Sequence, residues 1–172
     1  MKPIKTADGS HTFYIKELDE HYHSIHGALQ ESMHVFIDAG LSFCQKETIS
    51  IFEMGLGTGL NAYLTYIFSE EQEKIIDYCG IEAFPIKKED ATLLNYDELL
   101  LEKANPFAFE QIHASAWDEK YTVDKHFSLH KLEGKIQDLA IDSLPKFDII
   151  YYDAFAFSAQ PELWDIPVLQ KM

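Results

Sequence analysis

The chain has 172 residues, 47% hydrophobic and 13% aromatic, which suits one domain with its own core and argues against disorder. Twenty-nine acidic against fourteen basic side chains leave a formal net charge of −15, which opposes non-specific attraction to nucleic acid. No apolar stretch approaches the ~20 residues needed to cross a membrane. The segment Met1 to Ser10 also lacks the apolar run of a secretion signal, so a cytoplasmic protein with reduced Cys44 and Cys79 is expected.

In chain order, Thr12 to Leu18 alternates as an early strand does. Gly27 to Ala39 places Leu29, Met33, Phe36 and Ile37 at helical spacing, and Gly40 closes it. Ile49 to Met54 reads as the first core strand, followed by a helix from about Thr58 to Ser69. Ile75 to Ile81 is a second strand that ends at Glu82. Pro85 then opens a long helix as a first-turn proline, running to roughly Lys103. Phe107 to Trp117 is helical or irregular, and His126 to Leu132 is a third strand. Phe147 to Tyr152 is apolar on both faces, as a central parallel strand should be. A further helix begins at Glu162.

Strands alternating with helices predict an α/β fold built on a doubly wound, mostly parallel, Rossmann-like sheet. The N-terminal strand and helix, residues 1–45, form an extension packed on a core spanning 46–172. In such sheets ligands lie beyond the carboxyl ends of the strands. The Gly55 loop, Glu82 and Asp153 all fall at such ends, so three separate segments converge on one crevice.

The loop itself runs Glu53-Met54-Gly55-Leu56-Gly57-Thr58-Gly59-Leu60-Asn61. Glycine suits a turn that needs positive φ and a backbone closing against a ligand. A dinucleotide fingerprint would place its third glycine where Leu60 stands, which disfavours a dinucleotide-dependent oxidoreductase. G-x-G-x-G after an acid is the form typical of S-adenosylmethionine-dependent methyltransferases. The loop amides and the following helix N-terminus would face the carboxylate of that cofactor. Glu53, the acid before the loop, belongs to the same expected cofactor site, where Thr58 and Asn61 either add side-chain hydrogen bonds or cap the helix. Glu82 is placed to accept hydrogen bonds from ribose hydroxyls. Asp153, leaving an apolar strand beside Phe155 and Phe157, is placed to hold an alkyl ammonium and take its proton. His21, His23 and His26 lack a converging ligand set, and no metal is expected.

Four ordered segments carry a resemblance: Asp19 to Ser32, Glu53 to Asn61, Ile81-Glu82-Ala83-Phe84-Pro85, and Asp153-Ala154-Phe155-Ala156 with Gln160 to Trp164. Together they resemble the MnmC-type methyltransferase domain, which completes methylaminomethyl uridine at the tRNA wobble position. The resemblance implies a class I methyltransferase fold and S-adenosylmethionine as cofactor, with tRNA as the substrate. It also implies a partner domain acting as an oxidoreductase on CH–NH groups. Glu31, Gly55, Gly57, Gly59 and Glu82 would face the cofactor, and Asp153 and Phe155 the amine. Where the family often has Asp after a glycine, Lys135 follows Gly134, so Asp138 is the substitute for the adenine contact. Phe157 stands where the family usually has proline.

Fold members continue with three further strands. Without them Phe147 to Tyr152 is an exposed apolar edge, and a fragment or a homodimer covering that edge is expected. The alternative functions are methyl transfer to a small-molecule amine, which suits the acidic charge, and a non-catalytic cofactor-binding module.

Overall fold

The computed structural model describes residues 1–103, 105 and 107–172. Three short strands, β1 (Pro3–Lys5), β2 (His11–Ile15) and β3 (Glu20–His21), pair in that order as a small antiparallel sheet. α1 (Ala28–Ser32) runs into a π-helix over Met33–Asp38, so the helix expected from 27 to 39 forms but changes its hydrogen-bonding period midway. β4 (Thr48–Met54), α2 (Leu60–Glu71) and β5 (Ile75–Glu82) follow as expected.

The long helix expected from Pro85 to Lys103 does not form. Two single turns stand in its place, α3 (Lys88–Ala91) and α4 (Tyr96–Leu99). Asn95 separates them because its side chain is engaged elsewhere. Its Oδ1 accepts the His11 N–H at 2.8 Å, and its Nδ2 donates to the Gly9 carbonyl at 3.1 Å. A short amide that bonds distant backbone in this way competes with helix continuation. Tyr96 and Leu94 are buried by the break, whereas Leu93, Leu99 and Leu101 stay exposed.

α5 (Ala108–Ala114), β6 (Lys120–Thr122), β7 (Phe127–Glu133), β8 (Ile149–Tyr152) and α6 (Ile166–Leu169) complete the chain. The second sheet has the order β6-β7-β5-β4-β8, parallel throughout except for β6, which runs antiparallel to β7. This is the mostly parallel α/β architecture the sequence predicts. β8 pairs with β4 alone among the described residues, so it is an edge strand rather than a central one, with Ile150 39% exposed.

Side-chain alternation divides the core across this sheet. Ile49 and Ile51 of β4, Ile76 and Tyr78 of β5, and Phe127 and Leu129 of β7 face the large core beneath α2 and α5. Phe52, Met54, Cys79 and Ile81 face a smaller one closed by Ile136 and Val168. α2 is buried almost all round, from Leu60 to Ile67, as a helix covered on every side must be. The same alternation puts Glu53, an acid, on the α2 side of the sheet with no exposure to solvent.

Candidate active site

The turn between β4 and α2 is made by three glycines at positive φ, 91° at Gly55, 50° at Gly57 and 73° at Gly59. The requirement is steric at Gly55, where a Cβ would stand 2.3 Å from the carbonyl oxygen of Asp153. The loop can therefore lie against the end of β8 only if residue 55 has no side chain. At Gly57 a Cβ would meet the Tyr22 ring at 3.1 Å. The Gly55 and Leu56 amides donate to the Ile81 carbonyl, tying the loop to β5.

Above this turn opens a cavity of about 1170 Å³. Its wall includes Gly55, Gly57 and Asn61 from the loop and α2, Glu82 at the end of β5 with Phe84 beyond it, and Lys135 and Asp138 after β7. Asp153 and Phe155 after β8 and Tyr22 and Glu31 from the N-terminal segment complete it. The three strand ends do converge, and the N-terminal segment closes the side they leave open.

Glu82 accepts the Gly57 N–H on Oε2 and the Phe84 N–H on Oε1, both at 2.8 Å. Each oxygen keeps a lone pair for a further donor. Asp153 is half-buried and accepts Asn61 Nδ2 at 2.8 Å on Oδ2. Burial pushes its carboxyl up to about 7; the Asn61 hydrogen bond lowers it, and the nearby charges of Glu31 and Glu82 raise it further. Asn61 Nδ2 also donates to Glu53 Oε1 at 2.9 Å. Burial raises the Glu53 carboxyl well above the usual carboxylate range, and Asp153 adds to the shift. Glu31 is exposed at the rim, where Oε2 accepts the Ser24 N–H at 2.8 Å. Asp138 is exposed, with its own N–H turned back to the Lys135 carbonyl.

Three of the residues assigned to cofactor binding stand behind the wall rather than on it. Glu53 lies under α2 and reaches Asn61 instead. Thr58 is fully buried, and its Oγ1 pairs with His23 Nε2 at 2.7 Å and with the Tyr96 hydroxyl at 3.4 Å. It neither caps α2 nor faces the cavity, because the left-handed Gly59 turns the chain between them. Gly59 itself packs on His113, whose Nε2 bonds the Thr58 carbonyl at 3.0 Å.

Sequence reasoning did not single out Tyr22. Its ring packs on Gly57 and lies 5.5 Å from that of Phe155, forming an aromatic wall next to Asp153. Its phenol is pushed up to about 12 by burial and the Glu82 charge, so it stays a neutral donor. Phe84, 66% exposed on the rim, was also passed over as a site residue. The only signal for Tyr22 was its place in the histidine-rich segment, which carries no spacing of its own.

The residues present fit S-adenosylmethionine. The glycine cradle closes to any Cβ at residue 55, Glu82 retains lone pairs for a diol, and the volume exceeds what one ligand of that size fills. The excess leaves room for a second molecule beside Asp153.

No family model matches the chain. The MnmC protein of Leptospira interrogans serovar copenhageni, a "tRNA 5-methylaminomethyl-2-thiouridine biosynthesis bifunctional protein", is 28% identical over 169 residues. That alignment covers 91% of this chain and 26% of the relative. The protein of the same description from Magnetococcus marinus is 28% identical over 184 residues, covering 94% and 26%. The chain thus spans about a quarter of the length of the curated relatives it matches. The crystal structure of MnmC2 from Aquifex aeolicus superposes with a TM-score of 0.71 at 24% identity, over 99% of this chain and 55% of the other, and shares the fold. Likeness along most of the chain and the shared fold support an MnmC-type domain.

Proposed function

We propose that this chain, an MnmC-type domain by sequence likeness and fold, is a methyltransferase. In this reading it binds S-adenosylmethionine in the glycine-loop cavity and methylates the aminomethyl nitrogen of a modified wobble uridine in tRNA. The observation that carries the reading is Asp153, held by Asn61 in the wall of the cavity between the glycine loop and the Tyr22–Phe155 pair.

Gly55 and Gly57 would cradle the amino-acid part of the cofactor, Glu82 would take the ribose hydroxyls, and Asp138 would serve the adenine from the loop after β7. Phe84 and Ile136, which both line the cavity, would offer apolar surface to the base. When bound, the cofactor supplies an electrophilic methyl group on a cationic sulfur.

Asp153 works on the acceptor. An alkyl ammonium, with a pKa of ~10, has no lone pair to offer at neutral pH. Asp153 holds that ammonium through one carboxylate oxygen, orients it, and accepts its proton. A carboxyl pushed up to about 7 is a stronger base than an ordinary aspartate and is still largely ionised just above neutrality. A cation bound beside it favours the ionised form further. Tyr22 and Phe155 flank the acceptor and exclude water from it.

The test is methyl transfer to tRNA that lacks the final methyl group, set against free primary amines, with Asp153→Asn as control. The reading expects transfer to tRNA, a loss of at least about 100-fold in the variant, and cofactor-product affinity within about threefold of wild type. The charge of −15 favours a second reading, a small amine as acceptor. Transfer to free amines but not to tRNA would select that reading.

A further inference from the structure

The Asn61 amide nitrogen stands between two acids, 2.9 Å from Glu53 Oε1 and 2.8 Å from Asp153 Oδ2, so both of its hydrogens are committed. The three residues come from β4, from the first turn of α2 and from the end of β8. Glu53 is 0% exposed and Asn61 2%. Neither acid forms an ion pair among the described residues. Glu53 Oε2 and Asn61 Oδ1 are buried without a hydrogen-bond partner among those residues. A Cβ at Gly80 would stand 3.5 Å from Glu53 Oε2 and 2.9 Å from Leu56 Cδ1, so the β5 backbone and Leu56 close over this carboxyl. The Tyr78 hydroxyl, also buried without a hydrogen-bond partner among those residues, lies close enough to Glu53 to lower its carboxyl. Burial and the Asp153 charge outweigh it, and a buried carboxyl without a cation is tolerated as the neutral acid.

An amide can turn either end toward a neighbour. Glu53 Oε1 and Asp153 Oδ2 are both acceptors that only the nitrogen end can satisfy, and Glu53 is the one with no exposure to solvent. The same nitrogen then meets Asp153 Oδ2, while Asp153 Oδ1 carries no hydrogen bond among the described residues and the residue lines the cavity. The other titratable groups facing this cluster are Tyr78 of β5 and Tyr151 of β8 beside Glu53, and Glu31 and Glu82 beside Asp153. Both phenols are raised, chiefly by burial, and supply no charge that would offset an ionised Glu53.

We propose that Asn61 and Glu53 are positioning residues for the methyl transfer: a neutral Glu53 carboxyl orients the Asn61 amide, and that amide holds Asp153 Oδ2 so that Oδ1 meets the amine. This deepens the proposed function and rests on that reading. It gives the acid before the glycine loop and the asparagine after it a task directed at the acceptor rather than at the cofactor.

The experiment is a carbon-13 NMR titration of the Asp153 carboxyl in the ligand-free chain, paired with kinetics on the methyl acceptor. Glu53→Gln keeps an oxygen for Asn61 and carries no charge, so the Asp153 midpoint is expected to stay where it is in wild type. Asn61→Leu removes the hydrogen bond to the ionised form, and Glu53→Met releases the amide. Both are expected to raise the midpoint, by on the order of one pH unit. In kinetics kcat falls about tenfold in Glu53→Met and recovers in Glu53→Gln, while the calorimetric affinity for S-adenosylhomocysteine stays within about threefold. A fall of the Asp153 midpoint in Glu53→Gln would show that Glu53 is charged in wild type and overturn the proposal. An unmoved midpoint in Asn61→Leu overturns it as well. Glu53→Gln, nearly isosteric, decides the matter if the apolar variants do not fold. A wild-type chain that binds no cofactor product contradicts the proposed function, while the titration still decides the positioning unit.

Discussion

A Cβ at Gly55 would stand 2.3 Å from the Asp153 carbonyl oxygen, and that oxygen belongs to backbone rather than to a side chain that could turn away. The same residue holds φ at 91°, where an L side chain is strained. Gly55→Ala therefore pushes β8 away from the loop and disturbs the placement of Asp153. A loss of about 2–4 kcal/mol in unfolding free energy, read by urea denaturation, is expected from overpacking and strain together. At this scale the sequence showed which atoms would matter but not which way they face. The glycine spacing, Glu82 and Asp153 were legible because each follows a strand and each has a residue type with a stated task. The inward turn of Glu53 and Thr58 was not legible. A one-residue step along a strand or loop reverses the face, and no local pattern marks which of two polar neighbours is buried.

At the scale of elements, β4, β5 and β7 were readable because they combine apolar runs with turn residues at their ends. α2 was readable because its apolar residues continue for three turns. The stretch from Pro85 to Lys103 does not form the expected helix: Pro85 and the leucines after it are compatible with one, but Asn95 is claimed by the backbone of the N-terminal hairpin. That is a tertiary contact, absent from any local window. The pairing of Asn95 with His11 and Gly9 is also a clamp between the first sheet and the main body. Asn95→Ala leaves the His11 N–H and the Gly9 carbonyl without this partner. It is expected to destabilise the chain by about 1–3 kcal/mol. Hydrogen exchange should show faster exchange in β1 and β2 while β4 and β5 keep their protection; equal acceleration throughout would contradict a local clamp.

For the molecule as a whole, buried titratable groups set how stability follows pH. Burial holds His23 and His113 down to about 4, so the unfolded chain binds more protons than the folded one from about pH 4 to 6.5, and these groups add stability as pH rises. Asp153, pushed up to about 7, and the raised Glu53 act in the opposite sense, because the folded chain keeps protons the unfolded chain has released. Up to about pH 6.5 the two histidines oppose Asp153. Above it Asp153 lowers stability until it ionises near pH 7, with a slope of at most about 1.4 kcal/mol per pH unit, and Lys131, pushed down to about 8 by burial, adds stability as pH approaches 8. The thermal midpoint is expected to fall between pH 6.5 and about 7.5, with a shallower fall in Asp153→Asn. A midpoint that rises across that upper window would contradict the buried acids. Among the described residues no helix is long and apolar enough to cross a membrane.

A calorimetric titration of S-adenosylhomocysteine into the purified chain tests most directly whether the cavity is a cofactor site. Micromolar binding, weakened at least about tenfold in Glu82→Ala, is the result expected from a carboxylate that braces the Gly57 amide and receives the ribose hydroxyls. Absence of binding at millimolar ligand, with the chain folded, would contradict it.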